Sequence, residues 1–588
     1  MILQNLVFPK IGICTEEKLY FRVKRGICNY DYEQNRLILL ANASVQFDTY
    51  FNSILADRWK KYTVIKNIKI RIAGEGQGVL NVYRYSSYNG KELISSKAIT
   101  LNTQGETYPV VETEDQIYGI IYYEFNAISD SYIMEGEFCT DTEKVNDVSL
   151  GIVITTFKRE AYIKRNMKSL SQYLFDKIDD TCLHIFIIDN AQTLGESSSE
   201  RISVIPNKNY GGAGGYGRGM LENYRLGKYS HVVLCDDDAT YEPEAFLRLF
   251  NLLSLAKNKE LCVGGSMLKL DAPVFMHESG ARYSRLEISP NKTMLKLTEF
   301  ASLARFNIEE YASYHGWWFF CFPITCVEKL GLPLPIFFQI DDMEYSLRLR
   351  DHNYQTTDLN GICVWHESFQ RKSSTATNYY WARNKMINSF WHEPYLNALS
   401  CIKWFDKYLI ESLFLYRYDK AHMMLKGLDD VFKGPEFLMN LNPETNHQKL
   451  LREQIDKPHD IDKSLINLKL YNRPVRKNKL KKAAMIITFN GMLLPKFLRH
   501  KGMVLEPLDN YRTTATFRQE SILYVDIERM SGFIVKRSQK EFWRLLLAMV
   551  KADLKILTKF SVTRKNFQNS FPKMTSVDFW ENYVGNKK

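Results

Sequence analysis

The stretch HVVLCDDDATYEPEAF (231–246) ends a hydrophobic run with three consecutive carboxylates, Asp236, Asp237 and Asp238. Adjacent like charges repel, and the tip of a buried strand solvates them poorly, so a cation is expected beside them. Residues two apart in an extended segment project to one side, which brings Asp236 and Asp238 together and turns Asp237 elsewhere. Such a pair can hold a divalent cation and, through it, a diphosphate. The competing assignment is a helix N-cap, but one aspartate suffices for a cap, so the triplet directly after VVLC favours the metal.

The same plan of strand, polar loop and helix recurs upstream in SLGIVITTFKREAYIKRNMKSLSQYL, HIFIIDNAQ and ISVIPNKNYGGAGGYGRGMLENYRL. Strands alternating with helices predict a mainly parallel sheet that binds ligands beyond its strand C-termini. Thr155, Thr156 and Arg159 follow the first strand, and Asp189 and Asn190 the second. Turn chemistry accounts for any one tip; together they can read a nucleotide, with Asp189 accepting from the uracil N3 hydrogen and Arg159 stacking on or bonding to the base. Five glycines lie between Asn209 and Arg218. The run lacks the Gly-Lys-Ser/Thr of a P-loop and the preceding strand of a dinucleotide site. Its glycines would let amides approach an anion and Arg218 meet a pyrophosphate, with a plain flexible loop the equal alternative.

Further along, Asp341, Asp342 and Glu344 open a predicted helix after PIFFQI. A carboxylate there can take a proton from an acceptor hydroxyl, and Trp317 and Trp318 offer flat apolar faces to sugar rings. Dipole compensation and core packing are the plainer readings. His366, closing GICVW, is a candidate third metal ligand.

At 588 residues the chain predicts about three domains. Residues 1 to about 145 alternate as short strands and predict a β-sandwich; beyond about 375, Trp- and Tyr-rich helical patterns take over. Within them, Phe542, Leu545, Leu546, Met549, Val550 and Leu557 recur at helical spacing between Lys and Arg, which suits packing first and a membrane surface second. The net charge of +11 gathers late, as in NRPVRKNKLKKAAM (472–485), and suits an anionic lipid or acidic glycan; nucleic acid is the weakest partner class. No apolar run reaches spanning length and the start does not read as a leader, so a cytoplasmic protein is expected. The ten cysteines lack zinc or disulfide spacing, and Cys321 and Cys326 read as core.

The order of these parts resembles an inverting GT-A glycosyltransferase of family 2 and, more closely, the bacterial galactofuranosyltransferases that build mycobacterial galactan. FDTYFNSILADRW (47–59), NYGGAGGYGRGM, DDDAT, GWWFF, DDMEYSLRLRDHNY, WHE and YYWARNKM (379–386) carry the resemblance. It implies a multidomain α/β protein: a β-sandwich over 1–146, a GT-A domain with a Rossmann-like mixed sheet over 147–395 and a mainly helical domain over 396–588. It implies Mn²⁺ or Mg²⁺ on Asp236, Asp238 and His366, UDP-galactofuranose as donor and Asp342 as general base. The donor site would draw on Thr156, Arg159, Asp189, Asn209, Arg218 and Asp237, and the acceptor or sugar site on Trp317, Trp318, Asp341 and Glu344. The expected acceptor is a growing, lipid-linked cell-surface glycan, reached from the inner face of the membrane by a peripheral enzyme; a homo-oligomer is compatible with this. Two rivals stand beside it: the same fold using another nucleotide sugar, such as rhamnose, glucose or galactopyranose, and a non-catalytic glycan-binding protein. The intact Asp236, Asp238, Asp342 and His366 argue against the second.

Overall fold

A computed structural model describes residues 1–195, 198–367, 374–466, 479–508 and 513–585. In the N-terminal region the long strand Ile68–Ser86 belongs to two sheets. Its first half pairs with Ser131–Cys139 and Glu106–Val111, and its second with Ile120–Ala127 and Gly90–Leu101. Ile68, Ile70 and Ile72 are buried while Lys69 and Arg71 are not, the period-2 pattern of a half-buried strand. The strand passes from one sheet to the other through a glycine-rich stretch: at Gly74 a Cβ would stand 2.0 Å from the Tyr132 carbonyl oxygen. The expected sandwich is therefore one sheet folded over on itself, with Tyr123 and Phe138 meeting inside at 5.9 Å.

The segment FDTYFNSILADRW and helix α1 (Ala56–Tyr62) join this layer to the next. Arg58 of α1 reaches the Asp358 carboxylate, and Asn360 donates to the carbonyls of Tyr50 and Ser53 at 2.9 and 2.7 Å. All of these groups are buried, so the joint is a paired polar network within an apolar core.

The central sheet contains β1 (Leu150–Thr156), β2 (Leu183–Asp189), β3 (Ile202–Pro206), β4 (His231–Asp236), β5 (Cys262–Lys269), β6 (Met276–Glu278), β9 (Phe319–Pro323) and β10 (Thr356–His366); the hairpin β7 (Ala281–Ser284) and β8 (Glu287–Pro290) stands apart. Its order is β3-β2-β1-β4-β9-β5-β10, parallel except for β9, with β6 antiparallel on β5 and the short strand Thr240–Tyr241 antiparallel on β10. Parallel register sets Thr156 beside Asp189, Thr155 beside Asp236 and Lys269 beside His366, so the polar tips share one edge. Crossover helices α2 (Glu160–Leu174), α3 (Gly211–Leu226) and α4 (Glu244–Ser254) flank the sheet, and α5 (Asp341–Asp351) precedes β10.

The glycine-rich run is helix rather than a flexible loop. Gly211 begins α3, and the glycines permit close approach: a Cβ at Gly215 would lie 2.1 Å from Thr155 Cγ2, and one at Gly219 2.2 Å from Val153 Cγ1. Tertiary contact here overrides the low helix propensity of glycine.

Beyond the sheet come α6 (Thr377–His392), α7 (Ala398–Phe414), α8 (Tyr418–Val431), the 37-residue α9 (Gln539–Thr575) and α10 (Val577–Tyr583). A four-stranded sheet of His459–Asp460, Met503–Pro507, Ser521–Asp526 and Ser531–Lys536 adds to the expected helices. Along α9, Phe542, Leu545 and Met549 are buried, whereas Leu547, Val550, Leu554 and Leu557 are exposed. The first half of the basic run 472–485, residues 472–478, lies outside the described residues. Among the described residues no helix is long and apolar enough to cross a membrane.

Candidate functional site

Asp236 ends β4 and His366 ends β10, while Asp238 lies in the turn after β4. The His366 Nε2 stands 3.1 Å from Asp238 Oδ1 and 3.5 Å from Asp236 Oδ2, and one ligand atom from each residue lies within 4.8 Å of the others. Burial would lower the His366 pKa, but the two carboxylates overcome it and hold the pKa above its ordinary value. Nδ1 faces the Glu367 carbonyl at 2.6 Å, which orients the ring and leaves Nε2 toward the acids. Tyr216 of α3 donates to Asp236 Oδ1 at 2.7 Å, and Tyr241 donates to the Asp236 carbonyl.

Asp237 turns away from this pair. It accepts from Thr156 Oγ1 at 2.7 Å and Arg159 Nη1 at 2.6 Å, and the same Arg159 nitrogen is 2.8 Å from Asp238 Oδ2. Burial raises the Asp237 pKa even against the Arg159 charge. Arg159 thus braces the acidic turn. Asp189 is also at the tip, but its carboxylate accepts from the amides of Ala191, Thr193 and Leu194 at 3.0, 2.7 and 2.8 Å. Its acceptor capacity goes largely to the loop, which departs from the expected uracil contact. Asn209 accepts from the Gly211 amide at 3.2 Å, at the start of α3.

The acids of α5 are presented by a constrained turn. Phe337, Gln339 and Ile340 have φ of 75°, 66° and 71°, a left-handed conformation unfavourable to such side chains. Asn384 of α6 secures the turn by donating to the carbonyls of Ile336, Phe338 and Gln339 at 3.1, 3.0 and 3.0 Å, and Arg383 adds a bond to Ile336 at 2.8 Å. The YYWARNKM motif therefore holds the turn before Asp341 from a neighbouring helix. Burial, with Asp342 next, pushes Asp341 well above the usual carboxylate range, and burial raises Asp342 to about 6 with Asp236 adding to it. Glu278 at the end of β6 is raised to about 8 by burial and then by Asp342, so it belongs to the same acidic neighbourhood.

Four expected residues take other roles. Arg218 lies two turns into α3, buried, with Nε 2.9 Å from Glu222 Oε1 on the same helix. Glu344 is fully buried, with both oxygens on Arg348 at 3.1 and 2.5 Å and one facing His392 at 3.3 Å. It is a structural ion pair, closed to a sugar. Trp317 and Trp318 are 3% and 4% exposed; Trp317 packs edge-on to Tyr216 and Trp318 donates to the Gly265 carbonyl at 2.9 Å. They are core residues, which their helpful position in the sequence did not reveal. Tyr216, Glu278 and Asn384 escaped sequence reading because tertiary contacts bring them to the site.

Residues 149–384 match the model of the glycosyltransferase-like family 2, and residues 3–141 match that of the galactofuranosyltransferase 2 N-terminal domain. The chain is a glycosyltransferase with a family 2-like domain over residues 149–384. The enzyme is 23% identical over 643 residues to galactofuranosyltransferase GlfT2 of Mycobacterium tuberculosis, covering 99% of this chain and 97% of that protein. It is 24% identical over 635 residues to GlfT2 of Mycolicibacterium smegmatis, covering 99% and 96%. Among solved structures, S. aureus TarS 1–349 in complex with UDP-GlcNAc aligns with a TM-score of 0.31 and 12% identity, over 53% of this chain and 95% of that one. The glycosyltransferase thus has a sheet-rich N-terminal domain, a GT-A-like mixed-sheet domain and a helical C-terminal region.

Proposed function

We propose that the enzyme transfers galactofuranose from UDP-galactofuranose to a hydroxyl of a growing, lipid-linked glycan in a single inverting displacement. The observation that carries this reading is the convergence of Asp236, Asp238 and His366 beside the acidic start of α5. Full-length similarity to two galactofuranosyltransferases supports the sugar.

The residues present suit a divalent cation: two carboxylates and an imidazole offer hard ligand atoms, and the crowded negative charge around them needs neutralising. Asp236, Asp238 and His366 would hold Mn²⁺ or Mg²⁺, which supplies Lewis-acid neutralisation of a diphosphate leaving group. Thr156 and Arg159 keep Asp237 and Asp238 in place. Asp342, raised to about 6, is mostly ionised at neutral pH yet basic enough to accept a proton. It removes the acceptor hydroxyl proton as the oxygen bonds to the anomeric carbon, and the bond to the diphosphate oxygen breaks with its electron pair leaving on UDP. Attack opposite the leaving group inverts the centre. Peripheral membrane contact belongs to the same reading. Exposed Leu547, Val550, Leu554 and Leu557, next to Lys551 and Lys559, form an apolar stripe with cationic flanks.

The test is UDP release and product formation with a panel of UDP-sugars, a galactofuranosyl acceptor, and Mn²⁺, Mg²⁺ or EDTA. Metal-dependent turnover with UDP-galactofuranose is expected. A preference for another UDP-sugar moves the enzyme to another polysaccharide, and equal turnover in EDTA removes the metal.

A further inference from the structure

A second cleft, of about 800 Å³, opens between the β7–β8 hairpin, the end of α6 and the first half of α7. Its charged wall is mainly cationic: Arg285, Arg350, Lys403 and Lys407. The two acids on the wall are already engaged. Glu287 accepts from Lys407 Nζ at 2.7 Å and Tyr408 Oη at 2.6 Å, and Glu393 Oε1 accepts from the Leu286 amide at 2.9 Å. Arg350 is paired with Asp351 at 2.5 Å. Arg285 and Lys403 are exposed and have no carboxylate partner among the described residues.

The lining also holds an unused hydrogen-bond donor. Trp404 is 5% exposed, stacked on Trp381, and its indole N–H is buried without a partner. A buried N–H without an acceptor is unfavourable by about 1–3 kcal/mol, so such a donor in a cation-lined cleft calls for a ligand rich in acceptors. Phosphate oxygens have that chemistry, and arginine and lysine are the side chains that bind them.

We propose that this cleft binds a phosphate or diphosphate group. It is separate from the nucleotide site: Arg350 lies eight residues beyond Asp342 on α5, or about 12 Å along the helix. Under the proposed reaction, and resting on it for the source of the ligand, the group is the diphosphate that links an acceptor glycan to its lipid. A free phosphate ester offers the same oxygens.

The experiment titrates the full-length protein calorimetrically with inorganic diphosphate in EDTA, comparing it with the Arg285→Ala/Lys403→Ala double variant and with Asp236→Ala. Loss of two charge-assisted contacts is expected to weaken binding at least about tenfold in the double variant, with Asp236→Ala unchanged. Both substituted residues are exposed, so a thermal melt should match the parent. Equal binding by the double variant, or loss in Asp236→Ala, overturns the proposal. Transfer kinetics distinguish the sources: a higher KM for a diphosphate-lipid acceptor, but not for a neutral alkyl glycoside, assigns the lipid headgroup. Unchanged KM values with diphosphate binding still lost in the double variant assign a free anion. Absence of transfer with every donor overturns the proposed reaction, while the diphosphate titration decides the cleft independently.

Discussion

Tyr216 donates its hydroxyl proton to Asp236 at 2.7 Å, which ties the glycine-rich helix to the first acid of the metal cluster. The phenol is buried, and burial with the adjacent Asp236 charge pushes its pKa well above the ordinary tyrosine value, so it remains a donor at working pH. Partners that orient a ligating carboxylate typically contribute about 10–100-fold to metal affinity. Tyr216→Phe should weaken Mn²⁺ binding by that order while the fold persists, as read by Mn²⁺ titration of turnover and by a thermal melt. An unchanged metal dependence would show that Asp236 needs no such orientation.

Asn384 meets three carbonyls of the left-handed turn before Asp341. Asn384→Ala leaves those acceptors buried with fewer donors and lets the turn relax. The expected result is a fall in kcat of about tenfold or more with the donor KM little changed, since misplacing a base affects chemistry more than binding. Asn384→Gln should restore little, because the longer side chain cannot reproduce the three bonds. A KM effect without a kcat effect would instead place the turn in donor binding.

The strand tips were legible because a parallel sheet puts all C-terminal ends on one edge, and two-residue spacing is enough to pair Asp236 with Asp238. The helix residues were less so. Glu344 lies two positions beyond Asp342, about 200° around α5, and its burial against Arg348 and His392 depends on chain segments far apart in sequence. Arg218 failed for the same reason: the GGAGGYGRG run reads as a loop until Val153 and Thr155 are seen packed against its glycines. Glu278 carried no local signal at all, because its position follows from β6 pairing beside β5.

As the proposed base, Asp342 should set the acid limb of the rate profile. Its pKa is raised by burial to about 6, and the base must be ionised, so activity is retained above that value and lost as pH falls through it. kcat/KM should drop about tenfold per pH unit on the acid side. Asp342→Asn should reduce transfer by about 10²–10⁴-fold and remove that limb, with UDP binding measured by titration largely intact. Normal turnover by Asp342→Asn would eliminate it as the base.

The buried joint around Asp358 should govern stability rather than catalysis. Arg58 and Lys292 both contact its carboxylate, Lys292 Nζ at 2.8 Å, and Ser279 donates to it at 2.7 Å. The two partners' titrations point in opposite senses: burial pulls the Lys292 ammonium down despite the carboxylate, whereas Asp358, although burial would raise it, is held far below the usual range by Lys292 and Arg58. Asp358, with two cations and a hydroxyl around it, is the better guide to the joint. A depressed carboxylate contributes its stability above its unfolded value near 4 and loses it as pH falls toward the folded one. The melting temperature should therefore fall with acidification below about pH 4 and stay flat above it as far as this group is concerned. Asp358→Asn, which leaves two buried cations unpaired, should destabilise by about 3–5 kcal/mol in denaturant titration, whereas Lys292→Met, which keeps the Arg58 pair, should lose much less. Equal losses in the two variants would mean that the joint depends on packing volume, not on charge.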